Sequence, residues 1–229
     1  MATTPHTFAL SEDITSSRVI LCEGTGDKSF FENLIAVRGL PDFYVTCPVF
    51  DIHPGGRGGF EQRLRSLRLQ PHFEHVQGVI VVSDNDADPN SSFQAVRKSI
   101  HDAEYPAPNR PYVVIPGPPA TAIMMIPGQG KNGQLETLCL EAIRDTWPIH
   151  FQCAEAYGAC AGIETWRQGK QERAKLRALI SHICEQDPNS SLTHLWSGGR
   201  ELVIPLDHAS FDDAARFLQE FDQKIQNAR

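Results

Sequence analysis

The first part of the chain alternates between short continuous hydrophobic runs and helical spacings. Residues 79–82 form an uninterrupted run of β-branched side chains, which is typical of a strand buried on both faces of a parallel sheet. Other runs with the same character are further strand candidates. They lie at residues 19–22, 44–50, 112–115 and 121–126.

Between these runs, hydrophobic residues recur every three or four positions, which places them on one face of a helix. Phe60, Leu64 and Leu67 show this spacing. Ser91 or Ser92 is expected to cap the helix that follows the run at 79–82. Strands that alternate with helices predict an α/β fold, with a mostly parallel sheet covered by helices on both faces.

The pattern changes after Pro148, and no further strand is predicted there. Residues 150–185 carry helical spacings only, and a last amphipathic helix follows Phe211. We therefore predict an α/β domain at residues 15–148 and a helical extension at residues 149–229 that packs on it.

Composition narrows the possible classes of protein. The 229 residues are 41% hydrophobic and 21% charged, which is an ordinary globular composition. No run approaches the roughly 18 apolar residues of a membrane span, and residues 1–10 lack the pattern of a signal peptide. The six cysteines include no CxxC pair, which argues against a structural zinc site or a disulfide framework. We therefore expect a cytoplasmic protein without membrane contact.

Acidic residues follow directly on two of the predicted strands. Glu23 ends the run at 19–22, and Asp27 lies four residues later. Asp84, Asp86 and Asp88 follow the run at 79–82 at alternate positions. The carboxyl ends of parallel strands meet at one edge of a sheet, where ligands bind. A divalent ion would offset the repulsion among these carboxylates, which suit Mg²⁺ or Mn²⁺.

Simpler roles stay open for the same acids. Asp27 can be the acid of a helix N-terminus while Glu23 is solvated, and the segment from Asp84 to Asp88 can be a turn rich in Asp and Asn. Asp84 and Asp86 also match the DxD motif of haloacid-dehalogenase phosphatases. Such enzymes usually carry this motif near the N-terminus, with Thr or Val at the place that Asp88 occupies here.

The order and spacing of two segments indicate a family more specifically than either acidic motif alone. They are VILCEG at 19–24 and VVSDND at 81–86, separated by one strand–helix unit. This combination resembles the TOPRIM domain of bacterial primases, topoisomerases, recombination mediators and OLD-family nucleases. Asp27 looks like the OLD-nuclease variant. The segments IMMIP at 123–127, GQLE at 133–136 and IPLDH at 204–208 resemble a small family of standalone TOPRIM-like proteins of uncharacterised function.

The resemblance implies a role for each acid. Asp84 and Asp86 would bind magnesium, and Glu23 would act as general acid/base or as a ligand in a two-metal site. Asp27 and Glu136 are candidates for the second metal. With Asp88 from the same acidic segment, the candidate metal ligands are Glu23, Asp27, Asp84, Asp86, Asp88 and Glu136.

Basic residues near the predicted site are candidate substrate contacts. Lys131 lies close to Glu136 and either stabilises a pentavalent phosphate or is an ordinary surface lysine. Trp166 is expected to pack in the core or between domains rather than to stack on bases. The dense basic cluster either holds a nucleic-acid backbone or is a solvated helix face. It consists of Arg57, Arg63, Arg65 and Arg68.

These features predict a magnesium- or manganese-dependent nuclease that cleaves DNA or RNA by an activated water. The net charge of −7 argues against non-specific coating of nucleic acid but not against an acidic metal site. A non-catalytic TOPRIM-fold binding module and a DxD phosphomonoesterase are the alternatives. A protein partner or self-association also stays open.

Overall fold

A computed structural model describes residues 13–48, 56–183, 191–196 and 204–227. Four strands form one parallel sheet in the order β2-β1-β3-β4. They are β1 (Arg18–Leu21), β2 (Tyr44–Thr46), β3 (Gly78–Asp84) and β4 (Ala120–Ile126). The α/β fold with a parallel sheet is therefore confirmed.

Helices cover both faces of this sheet, because the side chains of each strand alternate between two hydrophobic cores. Ile20 faces a core shared with α1, α4, α6 and α7, whereas Val19 and Leu21 face a core shared with α2 and α3. The helices are α1 (Thr25–Arg38), α2 (Phe60–Leu67), α3 (Pro89–Asp102), α4 (Leu135–Thr146), α5 (Pro148–Ala161), α6 (Gln168–Ile183) and α7 (Asp212–Asn227).

The helical C-terminal segment is present and shares a core with the sheet. Phe221 and Ile225 of α7 lie against Gly78 at the start of β3, where an added Cβ would meet the Phe221 ring at 2.6 Å. Arg18 of β1 forms an ion pair with Asp222 of α7. None of the helices in the described part of the chain combines the length and the apolar character that a bilayer crossing requires.

Three local predictions differ from the structure. Residues 112–115 do not form a strand: Tyr112 has a φ of +61°, which breaks the extended backbone, and Ile115 makes only an isolated antiparallel bridge to Thr121. The strand predicted at 44–50 ends at Thr46 within the described residues, and positions 49 and 50 lie outside them.

The third difference concerns the cap of α3. Neither Ser91 nor Ser92 caps this helix, because Asp88 accepts a hydrogen bond from the Ser91 backbone N–H at 3.0 Å. Pro89 then opens the helix, where a missing N–H costs nothing.

Candidate metal-binding site

The parallel register brings the ends of β1 and β3 side by side. Leu21 pairs with Val81, so Glu23 and Asp84 leave the same edge of the sheet shortly afterwards. The Glu23 Oε1 atom accepts a hydrogen bond from the Asp84 backbone N–H at 3.1 Å and another from the Ser83 hydroxyl. Glu23 is therefore fixed across the strand ends rather than solvated.

Asp84 lies between the end of β3 and the N-terminus of α4. Its Oδ1 atom accepts a hydrogen bond from the Leu135 backbone N–H at 3.1 Å, so the carboxylate also caps this helix. Burial is the main cause that raises the pKa of Asp84 well above its ordinary value, and neighbouring negative charges raise it further. Those charges belong to Asp27, Glu23, Glu136 and Asp86.

Asp27 joins the same group of carboxylates from the first turn of α1. Its Oδ2 atom accepts a hydrogen bond from the Gly24 backbone N–H at 3.1 Å, so the simpler role of a helix N-terminal acid is present as well. Burial, then the charges of Glu23 and Glu136, raise the pKa of Asp27 to about 7. Burial and the neighbouring acids therefore both oppose ionisation of Asp27.

The loop after β3 is held in place by the loop after β4. The Asp86 N–H donates to the Gly133 carbonyl, and the Gly133 N–H donates to the Asp86 carbonyl, both at 2.8 Å. The buried Asn85 side chain donates to the carbonyls of Gly128 at 2.7 Å and Lys131 at 2.6 Å. Sequence reasoning missed Asn85; its position directly between two acids after a buried strand was the available signal.

Arg57 lies inside the acidic group. Its Nη2 atom is 3.4 Å from Glu23 Oε1, 2.9 Å from Asp86 Oδ2 and 2.8 Å from the Asp84 carbonyl oxygen. Its Nε atom donates to the Ser83 hydroxyl at 2.9 Å. The sequence grouped Arg57 with a nucleic-acid surface, whereas the structure makes it the counter-ion of two carboxylates.

The other three arginines of the predicted basic cluster do not form a common surface with it. Arg63 is only 8% exposed, so it does not reach a backbone that approaches from solvent. Arg65 pairs with Glu61 at 3.1 Å, and Arg68 lies over the Tyr105 ring, 4.2 Å from its centroid. The four arginines therefore lie in different surroundings, and their contact with nucleic acid stays a prediction.

Two further candidates lie away from the carboxylates. The Asp88 side chain is exposed and caps α3, as described above. The Lys131 side chain lies along Gly128 and lines a separate cleft with Glu141 and Arg144. The structure thus brings together Glu23, Asp27, Asp84, Asp86 and Glu136, but neither Asp88 nor Lys131.

Glu136 is held at the site by residues that sequence reasoning did not single out. Arg173 of α6 donates from Nε to Glu136 Oε1 at 3.1 Å and from Nη2 to Gln134 Oε1 at 2.9 Å. The contact joins residues 37 positions apart. No local pattern signals such a pair.

The donor set fits a hard divalent cation in its chemistry, because carboxylate oxygens predominate and their crowding favours a positive charge. Arg57 now supplies that charge and separates Glu23 from Asp86. Among the described residues, only the exposed group of His72, Glu74 and His75 places three possible ligand atoms within 4.8 Å of one another. Metal binding at the acidic site therefore requires the carboxylates to close around the ion and Arg57 to move.

Comparison with models of protein families gives a match over most of the chain. The model of a family described as "Protein of unknown function (DUF3226)" matches residues 17–223. No curated protein and no solved structure matches the chain.

Proposed function

The chain belongs to the DUF3226 family, and we propose that it is a magnesium- or manganese-dependent nuclease with a TOPRIM-like active site. The observation that carries this proposal is the meeting of Glu23 and Asp84 across two adjacent parallel strands. The charges of Asp27, Asp86 and Glu136 act on Asp84 as well. Crowding ionisable acids without function is costly, so the arrangement favours a bound cation.

The proposal assigns each acid a task. Glu23, Asp84 and Asp86 would hold one divalent ion, and Asp27 and Glu136 would serve a second. Such ions lower the pKa of a bound water and neutralise the charge that develops on the phosphate. Glu23 would serve either as a ligand of the first ion or as the general base that accepts a proton from the attacking water. The Ser83 hydroxyl, which donates to Glu23 Oε1, orients this carboxylate.

Arg57 changes partners in this scheme. It pairs with Glu23 and Asp86 while no cation neutralises them. With an ion in its place, the guanidinium would be free to pair with a substrate phosphate, for which its planar donor fork is well suited.

A second function of a different class has support from the same contact. If Arg57 stays between Glu23 and Asp86, it offsets part of their negative charge without a metal. The protein would then be a binding or regulatory module that keeps the fold without cleaving.

Metal titration and a cleavage panel separate these functions. Calorimetry with Mg²⁺ and Mn²⁺ would be combined with supercoiled plasmid, single-stranded DNA, RNA and a generic phosphomonoester as substrates. The comparison includes wild type, Asp84→Asn, and Asp88→Asn, which removes one negative charge from the same segment at an exposed helix cap. We expect metal-dependent cleavage in wild type and Asp88→Asn but not in Asp84→Asn.

Each other result has a defined meaning. Cleavage that persists in Asp84→Asn refutes the proposed site. Absence of both metal binding and cleavage in wild type supports the binding module. Turnover of the phosphomonoester alone supports the phosphatase alternative.

A further inference from the structure

A cleft of about 320 Å³ opens directly beside the acidic group, between the loops after β3 and β4 and the N-terminal part of α6. We call it the α6 cleft. Asp86 and Gly133 line one wall, and Arg167, Lys170 and Arg173 line the other. Its volume falls within the roughly 300–1,000 Å³ of ligand-binding sites.

Two of the three cationic side chains on the α6 wall of the cleft have no partner among the described residues. Arg167 and Lys170 are exposed, and within the part of the chain that the structure describes their side chains have no ion pair or hydrogen bond. Arg173 differs, because Glu136 and Gln134 hold it. In a protein of net charge −7, two uncompensated cations beside an acidic group favour an anionic ligand.

An aromatic side chain extends this wall. Trp166 is 49% exposed and shares an adjoining concavity with Arg167 and Lys170. This position differs from the packing role expected for it from the sequence. An exposed indole next to cations is the combination that binds unpaired bases and their phosphates in single-stranded nucleic acids.

Packing fixes the position of this wall over the acidic group. Gln134 Nε2 donates to the Gly169 carbonyl at 2.7 Å, and the Thr137 hydroxyl donates to Glu172 at 2.7 Å. A Cβ at position 169 would lie 2.9 Å from Gln134 Oε1, so glycine permits this close approach. Lys170 is therefore presented from an anchored helix, and Arg167 directly precedes that helix.

We propose that the α6 cleft binds single-stranded nucleic acid. Arg167 and Lys170 contact backbone phosphates, Trp166 stacks on a base, and the strand passes beside Asp86. The proposal rests on the proposed nuclease function in one respect, that the bound strand is led to the acidic group for cleavage. Binding in the cleft is tested without cleavage. This path lies on the α6 side of the acidic group, whereas the sequence predicted one along the basic cluster of Arg57, Arg63, Arg65 and Arg68.

The test measures the affinity of fluorescently labelled oligothymidylate, in EDTA and over a series of salt concentrations. Arg167→Ala combined with Lys170→Ala should weaken binding and lower the magnitude of the log-affinity against log-salt slope by about 1.4, the value for two lost phosphate contacts. The control combines Arg97→Ala with Arg110→Ala, which removes the same charge at exposed positions outside the cleft. This control should keep the wild-type slope.

Trp166 is tested with two substitutions, one that removes the aromatic ring and one that keeps a ring. Trp166→Ala should weaken binding about tenfold, whereas Trp166→Phe should stay within about threefold of wild type because an aromatic ring still stacks. A duplex of the same sequence should bind more weakly than the single strand and should not respond to Trp166→Ala.

Three results would overturn the inference: no binding of the single strand, an equal loss in the two double variants, or polyglutamate binding that matches the oligonucleotide in affinity. The last would indicate an acidic protein partner. Failure of the nuclease proposal is separate, because it appears as single-strand binding without cleavage, whereas failure of the cleft appears in the binding measurements themselves.

Discussion

Replacing Asp27 with asparagine tests whether the acidic group is electrostatically strained. Asparagine has nearly the same shape, and its side-chain oxygen can still accept the Gly24 N–H that Asp27 accepts at 3.1 Å. The substitution therefore removes the charge while it keeps the local contact. Any change in stability then reports the cost of ionising this group in the metal-free protein.

The magnitude follows from the pKa of Asp27, which rises from 3.8 to about 7 through burial and the charges of Glu23 and Glu136. The folded protein binds this proton more tightly than the unfolded chain, so the contribution of Asp27 to stability falls as pH rises from about 4 to about 7. At about 1.4 kcal/mol per pKa unit, the loss is at most about 4 kcal/mol above pH 7. Asp27→Asn escapes this loss.

Urea unfolding in EDTA, followed by circular dichroism at pH values from about 4 to 8, measures this difference. We expect the free energies of unfolding of wild type and Asp27→Asn to converge near pH 4. The difference in favour of the variant should grow as pH rises and reach a plateau above pH 7. Asp88→Asn is the control, because its exposed helix cap is retained by asparagine, and it should follow wild type. If the Asp27→Asn and wild-type free energies run parallel across this range, the assigned electrostatic strain does not exist.

Asp84→Asn should abolish magnesium binding while the thermal stability of the metal-free protein rises or stays unchanged, because carboxylate repulsion is relieved; a strongly lowered melting temperature would show a structural role instead. Arg57→Met should lower the metal-free melting temperature and enlarge the stabilisation by Mg²⁺ in thermal-shift assays, since the competing cation is gone; an unchanged response would place Arg57 outside the metal equilibrium. Gly78→Ala should cost roughly 1–3 kcal/mol in urea unfolding, because the new Cβ meets the Phe221 ring at 2.6 Å. The control Gly26→Ala, where nothing lies within 4 Å of the added Cβ, should cost nothing; equal effects would disprove the packing argument.

Local patterns in the sequence predicted four strands of the sheet and its acidic edge correctly. The run at 79–82 became the buried part of β3, and Glu23 and Asp84 followed their strands to one edge. These features can be predicted because the hydrophobic pattern and the end of a strand depend on neighbouring residues. Parallel pairing then places the carboxyl ends of all the strands at the same edge of the sheet. The helical C-terminal segment was readable for the same reason, since its spacing is a property of each helix.

Which charges reach that edge depends on long-range packing. Arg57 and Arg63 belong to one basic cluster in the sequence, yet one enters the acidic group and the other is buried beside β2. Arg173 and Trp166 come to the site because α6 packs against the N-terminus of α4. The direction of a long side chain and the docking of a distant helix depend on contacts between residues far apart in sequence, which hydrophobic periodicity does not encode.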